Sequence, residues 1–388
     1  LAFEMAKTAT GESKQELVRI AENCSWIAEN PPRTFWEALQ LWTLAYHVTQ
    51  IESNGHSVSF GRFDQYMYPF YEKDTANGTA TKDFIQELIE CAYMKFSQVC
   101  KLRDKDTVRI NGGHGLGGTT ITLGGVDEQG KDATNDLTFM AVDAVIHTRL
   151  VEPWVLVRWN ANTPKELKVK CANAIKVGSG RPKLFNDEVT IPAMTDYGRS
   201  LEDSRDYTVV GCVEMDAWGR EYGWHDAAYF SIAKILELAI NNGRCLGCEV
   251  MAKDMCPRYE VCAAAGNRLG IETGSLADFQ NFDDVKEAYD KQMKYFVDLM
   301  IAGINVMDIA HQRYMPLPYL SLLVDDCIEK GVDVTAGGAK YNFTGPQAVG
   351  VGTVADGLSA IKQLVFDEQK ISGKEFLQAV SQNWEGYE

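Results

Sequence analysis

The sequence has no apolar run long enough to span a bilayer, and basic residues are scarce relative to acidic ones. Its 38 Lys and Arg residues face 54 Asp and Glu residues, which gives a formal net charge of −16. This excess disfavours nucleic acid and anionic membranes as partners, while a metal cation or a basic protein stays compatible with it. The chain lacks an initiator methionine, and its first residues, LAFEMA, do not form a signal peptide. Ten cysteines without a secretory signal therefore indicate a reducing cytoplasm.

What the sequence does contain is enough apolar material for a large core and an alternation of strand and helix patterns. The chain has 388 residues, of which 45% are hydrophobic, and this length fits two or three average domains or one large α/β unit. Strand patterns at 119–123, 153–159, 184–187 and 207–210 alternate with helical patterns at 136–148 and 164–177. This alternation predicts an α/β fold with a largely parallel sheet covered by helices.

The most informative stretch is Gly211–Glu214, which follows the β-branched run Tyr207–Val210. Cys212 and Glu214 are two residues apart, and in an extended chain such residues point the same way. A thiol and a carboxylate could therefore face one small molecule. The simpler interpretation is a buried, inert cysteine at a strand end, and spacing alone does not decide between the two.

Several stretches of the chain together form a specific pattern, and they follow one another in the order found in one known family. They are Ile51–Ser57 with Gly61–Tyr66, Gly211–Glu214 with Gly223–Ala227, Pro316–Ser321, Gly337–Ala339 and Tyr341–Gln347. Together they resemble the glycyl radical enzymes of the pyruvate formate-lyase-like superfamily, and most closely the glycerol and propanediol dehydratase branch. The resemblance covers essentially the whole chain. It implies a single domain over residues 1–388, a ten-stranded α/β barrel of two half-barrels, with the cysteine loop inside and the helices outside.

The resemblance also implies a mechanism, in which Cys212 forms a thiyl radical that takes hydrogen from a substrate carbon. Glu214 would be the base that deprotonates the substrate hydroxyl, and His56, Ser57 and Asp226 would bind substrate hydroxyls. The site should be poor in water, because a free radical reacts with whatever enters it. Pyruvate formate-lyase itself has two adjacent cysteines, whereas Val213 follows Cys212 here, so its acyl-transfer chemistry is not expected.

Three charged residues in these stretches also have plain structural interpretations. Asp226 precedes an apolar helical stripe, and a short acceptor there could cap the helix as well as bind a hydroxyl. Arg62 and Asp64 are interpreted as a structural ion pair.

The glycine-rich segment Asn111–Gly118 departs from the resembling enzymes, which usually carry an aromatic residue there. Glycine would leave room or let backbone amides face the ligand, which leaves the exact substrate open. A phosphate-binding loop is disfavoured, since no helix with Lys-Ser or Lys-Thr follows. His114 is interpreted as an ordinary loop histidine, with a pocket role as the alternative.

Four cysteines form the one metal-like cluster of the sequence, namely Cys245, Cys248, Cys256 and Cys262. Thiols can hold zinc or an iron–sulfur cluster, but these spacings are not those of a standard zinc ribbon. We therefore expect reduced loop cysteines and no metal. A non-catalytic, metal-binding scaffold is the alternative that this cluster keeps open.

No segment resembles the family's C-terminal Arg-Val-x-Gly-Tyr loop, and the N-terminal part of the family fold is also expected to be missing. The expectation is therefore a fragment or one part of a split enzyme that cannot turn over alone. The resemblance implies a glycyl radical elsewhere, a radical S-adenosylmethionine activating enzyme, anaerobic operation and a homodimer when complete. Glycerol or propane-1,2-diol are the expected substrates, and C–S, C–N or aryl-acetate cleavage is the alternative.

Overall fold

A computed structural model describes residues 1–53, 57–99, 101–102, 104–105, 108, 118–246, 259–264 and 266–387. The chain forms two compact units, each assembled from two separate stretches of sequence. The first unit comprises Leu1–Gly223 and Met315–Phe343, and the second comprises Trp224–Tyr314 and Thr344–Glu388. A single domain over residues 1–388 stays a prediction.

The described elements confirm the α/β class. The strands are β1 Ser59–Arg62, β2 Thr120–Gly124, β3 Trp154–Trp159, β4 Lys183–Asn186, β5 Tyr207–Val210, β6 Glu214–Ala217, β7 Trp224–Ser231 and β8 Thr344–Val349. The helices are α1 Ala2–Ala6, α2 Gly11–Ile27, α3 Phe35–Ser53, α4 Phe63–Tyr66, α5 Tyr68–Ala76, α6 Lys82–Ser97, α7 Asp136–Thr148, α8 Lys165–Ala174, α9 Asp187–Asp196, α10 Leu201–Arg205, α11 Ile232–Ile240, α12 Tyr259–Ala264, α13 Phe282–Tyr314, α14 Pro318–Ser321, α15 Cys327–Lys330, α16 Val351–Ala360 and α17 Gly373–Ser381. Short π-helical turns follow α8 and α16, and a 3-10 turn spans Val334–Ala336.

The first unit is built on a four-stranded parallel sheet in the order β1-β2-β3-β4. β2 is buried along its whole length, and so is the centre of β3, as expected for strands covered on both faces. Helices α3, α6 and α7 pack a shared apolar core beside it, with Phe35, Ile89 and Val142 fully buried. The predicted parallel sheet is confirmed, whereas a closed ten-stranded barrel is not. The described strands form three separate sheets, and none of them closes on itself.

Strand β5 does not join the parallel sheet but pairs antiparallel with β6, as a hairpin. Short hydroxyl side chains fix this hairpin against β1 and β2. The Thr120 hydroxyl donates to the Val209 carbonyl at 2.8 Å, and the Val209 amide donates to the Thr122 hydroxyl at 3.0 Å. The Ser59 hydroxyl donates to the same carbonyl at 3.0 Å. These bonds tie the strand before Cys212 to the edge of a buried sheet, which limits its freedom to shift.

A buried charge cluster holds the other end of β5. Arg158 is fully buried and donates to both carboxylate oxygens of Asp187, at 2.9 and 3.0 Å, and to the Tyr207 carbonyl at 2.8 Å. Its guanidinium also lies 3.8 Å from the centre of the Tyr207 ring. A buried and hydrogen-bonded ion pair of this kind specifies geometry more than it adds stability. The predicted Arg62–Asp64 pair is wrong, since Arg62 forms its ion pair with Asp206.

The second unit contains the parallel pair β7 and β8 and the 33-residue helix α13. Its apolar core is formed by residues such as Leu236, Leu276 and Val285. Among the described residues, no helix in either unit is both long enough and apolar enough to cross a membrane.

Candidate active site

Cys212 lies in the turn of the β5–β6 hairpin. Val210 pairs with Glu214 across the hairpin, so the turn consists of Gly211, Cys212 and Val213. The predicted strand before the cysteine is confirmed. The expectation that Cys212 and Glu214 face the same way along an extended chain is wrong, because the chain reverses between them. Glu214 is the first residue of β6.

The hairpin turn brings Ser57 and Glu214 together over Gly211. Gly211 has a φ of +60°, a left-handed conformation that glycine adopts without steric cost. A β-carbon placed on Gly211 would lie 2.8 Å from Ser57 Oγ and 3.1 Å from Glu214 Oε2. The hydroxyl and the carboxylate therefore line one small space beside the cysteine. These residues are more than 150 positions apart in sequence, and only the fold joins them.

The Glu214 carboxylate is held by the backbone of the turn itself. The Val213 amide donates to Glu214 Oε2 at 2.9 Å, and the side chain is half-buried. This bond orients one carboxylate oxygen toward the turn. A carboxylate held in this way can accept a proton from a hydroxyl placed within hydrogen-bond reach of it.

Ser57 is confined between two glycines. Besides Gly211, Gly118 lies against it, and a β-carbon on Gly118 would be 3.1 Å from Ser57 Oγ. Gly118 also has a positive φ, +59°. Its amide donates to Glu152 Oε1 at 3.1 Å, and the Thr119 amide donates to Glu152 Oε2 at 2.8 Å. Glu152 is therefore a positioning residue for the backbone that packs against Ser57, and it was missed in the sequence.

Burial of the Glu152 carboxyl raises its pKa from the ordinary 4.5 to about 7. The two backbone donors and the nearby Arg181 oppose this shift but do not overcome it. Only 1% of the Glu152 surface is exposed, so the charged form loses most of its hydration.

This shift predicts a stability contribution from Glu152 that is fully present below pH 4.5 and is lost as the pH rises through 7, because the folded state holds the proton that the unfolded state has released. The expected loss is about 3 kcal/mol. The difference in unfolding free energy between the protein and Glu152→Gln, measured in denaturant from pH 4.5 to 7.5, should fall by that amount. Glu166→Gln, at an exposed glutamate of α8, controls for the substitution. A pH-independent difference would contradict the assignment.

Cys212 itself is exposed, and so is Val213, with 58% of its surface accessible. The expected water-poor hollow around the thiol is therefore not formed by the described residues. The exposure leaves the sulfur reachable by another molecule or another segment of protein. Lys183, a further residue missed in the sequence, lies beside the turn and donates from Nζ to the Cys212 carbonyl at 3.3 Å.

Asp226 belongs to the second unit and lies within β7, not at a helix start. The helix begins at Ile232, and Ser231 caps it by accepting from the Lys234 amide. The prediction of a capping role for Asp226 is therefore wrong. Asp226 has a φ of +54° at an irregularity of the strand pair, and Gln347 Nε2 donates to its carboxylate. Its binding of substrate stays a prediction.

The remaining predicted residues lie partly inside and partly outside the described part of the chain. His56 and His114 lie outside the described residues, as do Cys248 and Cys256. Cys245 and Cys262 are buried and pack with Leu238, and Lys234 Nζ donates to the Cys245 sulfur at 2.9 Å. No group of three or more metal-ligating side chains occurs in the described part of the chain. The metal hypothesis for the four-cysteine segment stays open.

Comparison with known proteins gives consistent matches over the whole chain. Residues 1–388 match the family described as pyruvate formate lyase-like. The chain is 49% identical over 389 residues to a (2S)-3-sulfopropanediol dehydratase of Klebsiella oxytoca, covering all of this chain and 45% of that protein. It is 34% identical to a trans-4-hydroxy-L-proline dehydratase of Clostridioides difficile, covering all of this chain and 47% of that protein.

Solved structures give the same result. The glycerol-bound form of the B12-independent glycerol dehydratase from Clostridium butyricum superposes with a TM-score of 0.89 and 40% identity, over 99% of this chain and 46% of that one. A 1,2-propanediol dehydration enzyme from Roseburia inulinivorans superposes with a TM-score of 0.90 and 41% identity, over 98% of this chain and 43% of that one. The chain thus spans less than half the length of these relatives. Its hairpin cysteine, its fold and its match along all 388 residues show that the chain belongs to the pyruvate formate lyase-like family.

Proposed function

We propose that this chain carries the hydrogen-abstracting centre of a glycyl radical dehydratase that removes water from a small vicinal diol. The observation that supports this most is the convergence of Ser57 Oγ and Glu214 Oε2 over Gly211, the residue that precedes Cys212. A hydroxyl-binding group, a proton acceptor and a hydrogen-atom carrier are the three functions that such an elimination needs. The dehydratase names of the relatives at 34 to 49% identity support the same reaction class.

When a glycyl radical is present, the Cys212 thiol would give up its hydrogen atom to it. The Cys212 sulfur then takes a hydrogen atom from the hydroxyl-bearing substrate carbon, and Glu214 takes the proton of that hydroxyl. The neighbouring hydroxyl leaves as water with the proton that Glu214 took, which restores the carboxylate, and Cys212 returns its hydrogen atom to the product. The net change is one diol converted to one aldehyde and one water. The exposed position of Cys212 meets the requirement that its thiol be reached by both reactants.

The substrate would lie over the hairpin turn, with one hydroxyl on Ser57 and Glu214. His56 and Asp226 stay proposed as hydroxyl-binding residues on the family resemblance alone. Glycerol and propane-1,2-diol are the proposed neutral substrates, in line with the two structural relatives. The name of the related sulfopropanediol dehydratase suggests a third candidate substrate, a diol that carries a sulfonate.

The wider setting is part of the same proposal. The four-stranded parallel sheet would belong to a ten-stranded barrel around the hairpin, which would supply the exclusion of water that the described residues do not. A radical S-adenosylmethionine enzyme would activate the protein, which would act as a homodimer in the anaerobic cytoplasm. The negative net charge agrees with a small-molecule substrate in preference to nucleic acid.

Product analysis tests the proposal. The protein, expressed with any sequence that naturally flanks the chain and activated without oxygen, is incubated with glycerol, propane-1,2-diol and 2,3-dihydroxypropane-1-sulfonate. We expect an aldehyde from at least one diol, and loss of about a thousandfold in rate with Glu214→Gln, since a positioned base contributes on that scale. Aldehyde from none of the diols, or release of sulfite in its place, would remove the dehydratase assignment.

A further inference from the structure

Two cationic side chains and one tryptophan lie on the wall of the sheet next to the hairpin turn. Trp154 is the first residue of β3, and Lys183 is the first residue of β4. Lys183 Nζ lies 4.4 Å from the centre of the Trp154 ring, and the Arg181 guanidinium carbon lies 6.0 Å from it. Lys183 also contacts the Cys212 carbonyl. The three side chains therefore form a cluster that reaches the proposed reaction centre.

This cluster has more donors than acceptors. Trp154 Nε1 and Arg181 Nε are buried atoms without a hydrogen-bond partner. Among the described residues, neither Arg181 nor Lys183 forms an ion pair, and the carbonyl contacts of the two cations use only one donor each. Buried donors without acceptors are costly, and native proteins satisfy nearly all of them. Arg181 and Lys183 are only partly buried, so their remaining N–H groups can meet an acceptor from outside this donor-rich cluster.

The nearby carboxylates do not fill this role. Both oxygens of Glu152 accept from the backbone amides of Gly118 and Thr119. Its charge attracts Arg181 at longer range, yet burial still lowers the pKa of Arg181. Glu214 directs Oε2 to the amide of Val213. Glu152 and Glu214 thus reduce the positive potential of the cluster, but neither carboxylate accepts a hydrogen bond from Trp154 Nε1 or Arg181 Nε.

An oxyanion with several oxygen atoms matches such a donor set. A guanidinium presents a planar fork of N–H groups, an ammonium adds a flexible point charge, and an indole N–H supplies a single neutral donor. We propose that Trp154, Arg181 and Lys183 bind the oxyanion of an anionic vicinal diol, such as a sulfonate, carboxylate or phosphate ester, and so select charged over neutral diols. This rests on the proposed function, because it assumes that the diol end of the ligand reaches Cys212.

A purely structural role for Lys183 is the competing explanation, since it already donates to the hairpin turn. If Lys183 had only that role, its replacement would change the affinity for charged and neutral ligands alike. If Lys183 belongs to an oxyanion site, its replacement would change the affinity for charged ligands alone. Binding selectivity, measured on the unactivated protein so that no turnover interferes, separates the two.

The experiment is calorimetric titration of the protein, with any natural flanking sequence, using 2,3-dihydroxypropane-1-sulfonate, glycerate, glycerol 3-phosphate and propane-1,2-diol. Lys183→Met and Arg181→Met should each raise the dissociation constant of the preferred anionic diol by about tenfold or more, as expected for a lost charged hydrogen bond. The dissociation constant of propane-1,2-diol should change by less than about twofold in both variants. Lys183→Arg should retain most of the affinity. Lys176→Met, at an exposed lysine after α8, is the matched control and should change nothing.

The three anions identify which oxyanion the site prefers. The inference is overturned if the variants weaken the binding of charged and neutral diols equally, or if the unmodified protein binds no anionic diol more tightly than propane-1,2-diol. If a variant has a lowered melting temperature, the second cation variant and Lys183→Arg still provide the comparison. Anion binding without any turnover would reject the proposed function and keep the oxyanion site. Turnover of neutral diols without any preference for charged ones would keep the proposed function and reject the oxyanion site.

Discussion

Replacing Cys212 with serine is expected to abolish product formation and to leave the fold unchanged. The proposed reaction needs a side chain that gives up a hydrogen atom and later returns it. An O–H bond is stronger than an S–H bond, so the serine hydroxyl cannot exchange hydrogen with the same partners. Because Cys212 is exposed at a turn, the free energy of unfolding should change by no more than about 0.5 kcal/mol. Product yield after anaerobic activation and a denaturant melt measure the two quantities.

Cys91→Ser is the matched control for this substitution. Cys91 is also an exposed cysteine, on helix α6, and it lies outside the proposed site. Its serine variant should retain full product yield under the same activation. Measurable turnover by Cys212→Ser would refute the hydrogen-abstraction role. A loss of activity in both variants would point instead to a general sensitivity of the protein to loss of thiols.

Local sequence patterns predicted the elements around the site well. The β-branched run Tyr207–Val210 forms a buried strand, since such side chains fit a pleated and enclosed surface. The alternation of strands and helices gave the parallel sheet, because parallel strands require crossover connections. The ordered motifs gave the family, and they singled out Cys212, Glu214 and Ser57 before any geometry was known.

The arrangement of those residues could not be predicted in the same way. Residues 214–217 lack a clear strand pattern, and they form β6 only because β5 offers a pairing edge. Asp226 precedes an apolar stripe that resembles a helix, but pairing with β8 extends the strand to Ser231. In both cases a partner distant in sequence overrides local preference, as is common for strands.

The same limit applies to the residues that the sequence did not reveal. Glu152 and Lys183 carry no motif, and each acts through the backbone of another segment. Their roles follow from the tertiary approach of β2, β4 and the hairpin turn. Gly118 and Gly211 are similar, since nothing local shows that both lie against Ser57.

Gly211→Ala is expected to reduce turnover by about a hundredfold, because a shift of about 1 Å in catalytic groups has effects of that size. The added methyl group would lie 2.8 Å from Ser57 Oγ and 3.1 Å from Glu214 Oε2, so one or both must move. The left-handed φ of +60° adds a strain of about 1 kcal/mol to the folded state. Steady-state rates and unfolding free energies measure the two effects separately.

Gly219→Ala separates backbone strain from the clash. Gly219 follows the other end of the same hairpin, with a φ of +70°, but a β-carbon there would have no atom within 4 Å. Both variants should therefore lose a similar free energy of unfolding from strain, and only Gly211→Ala should lose turnover. If Gly219→Ala loses as much turnover, the hairpin as a whole requires flexibility. If Gly211→Ala retains its rate, the space shared by Ser57 and Glu214 is not where the substrate reacts.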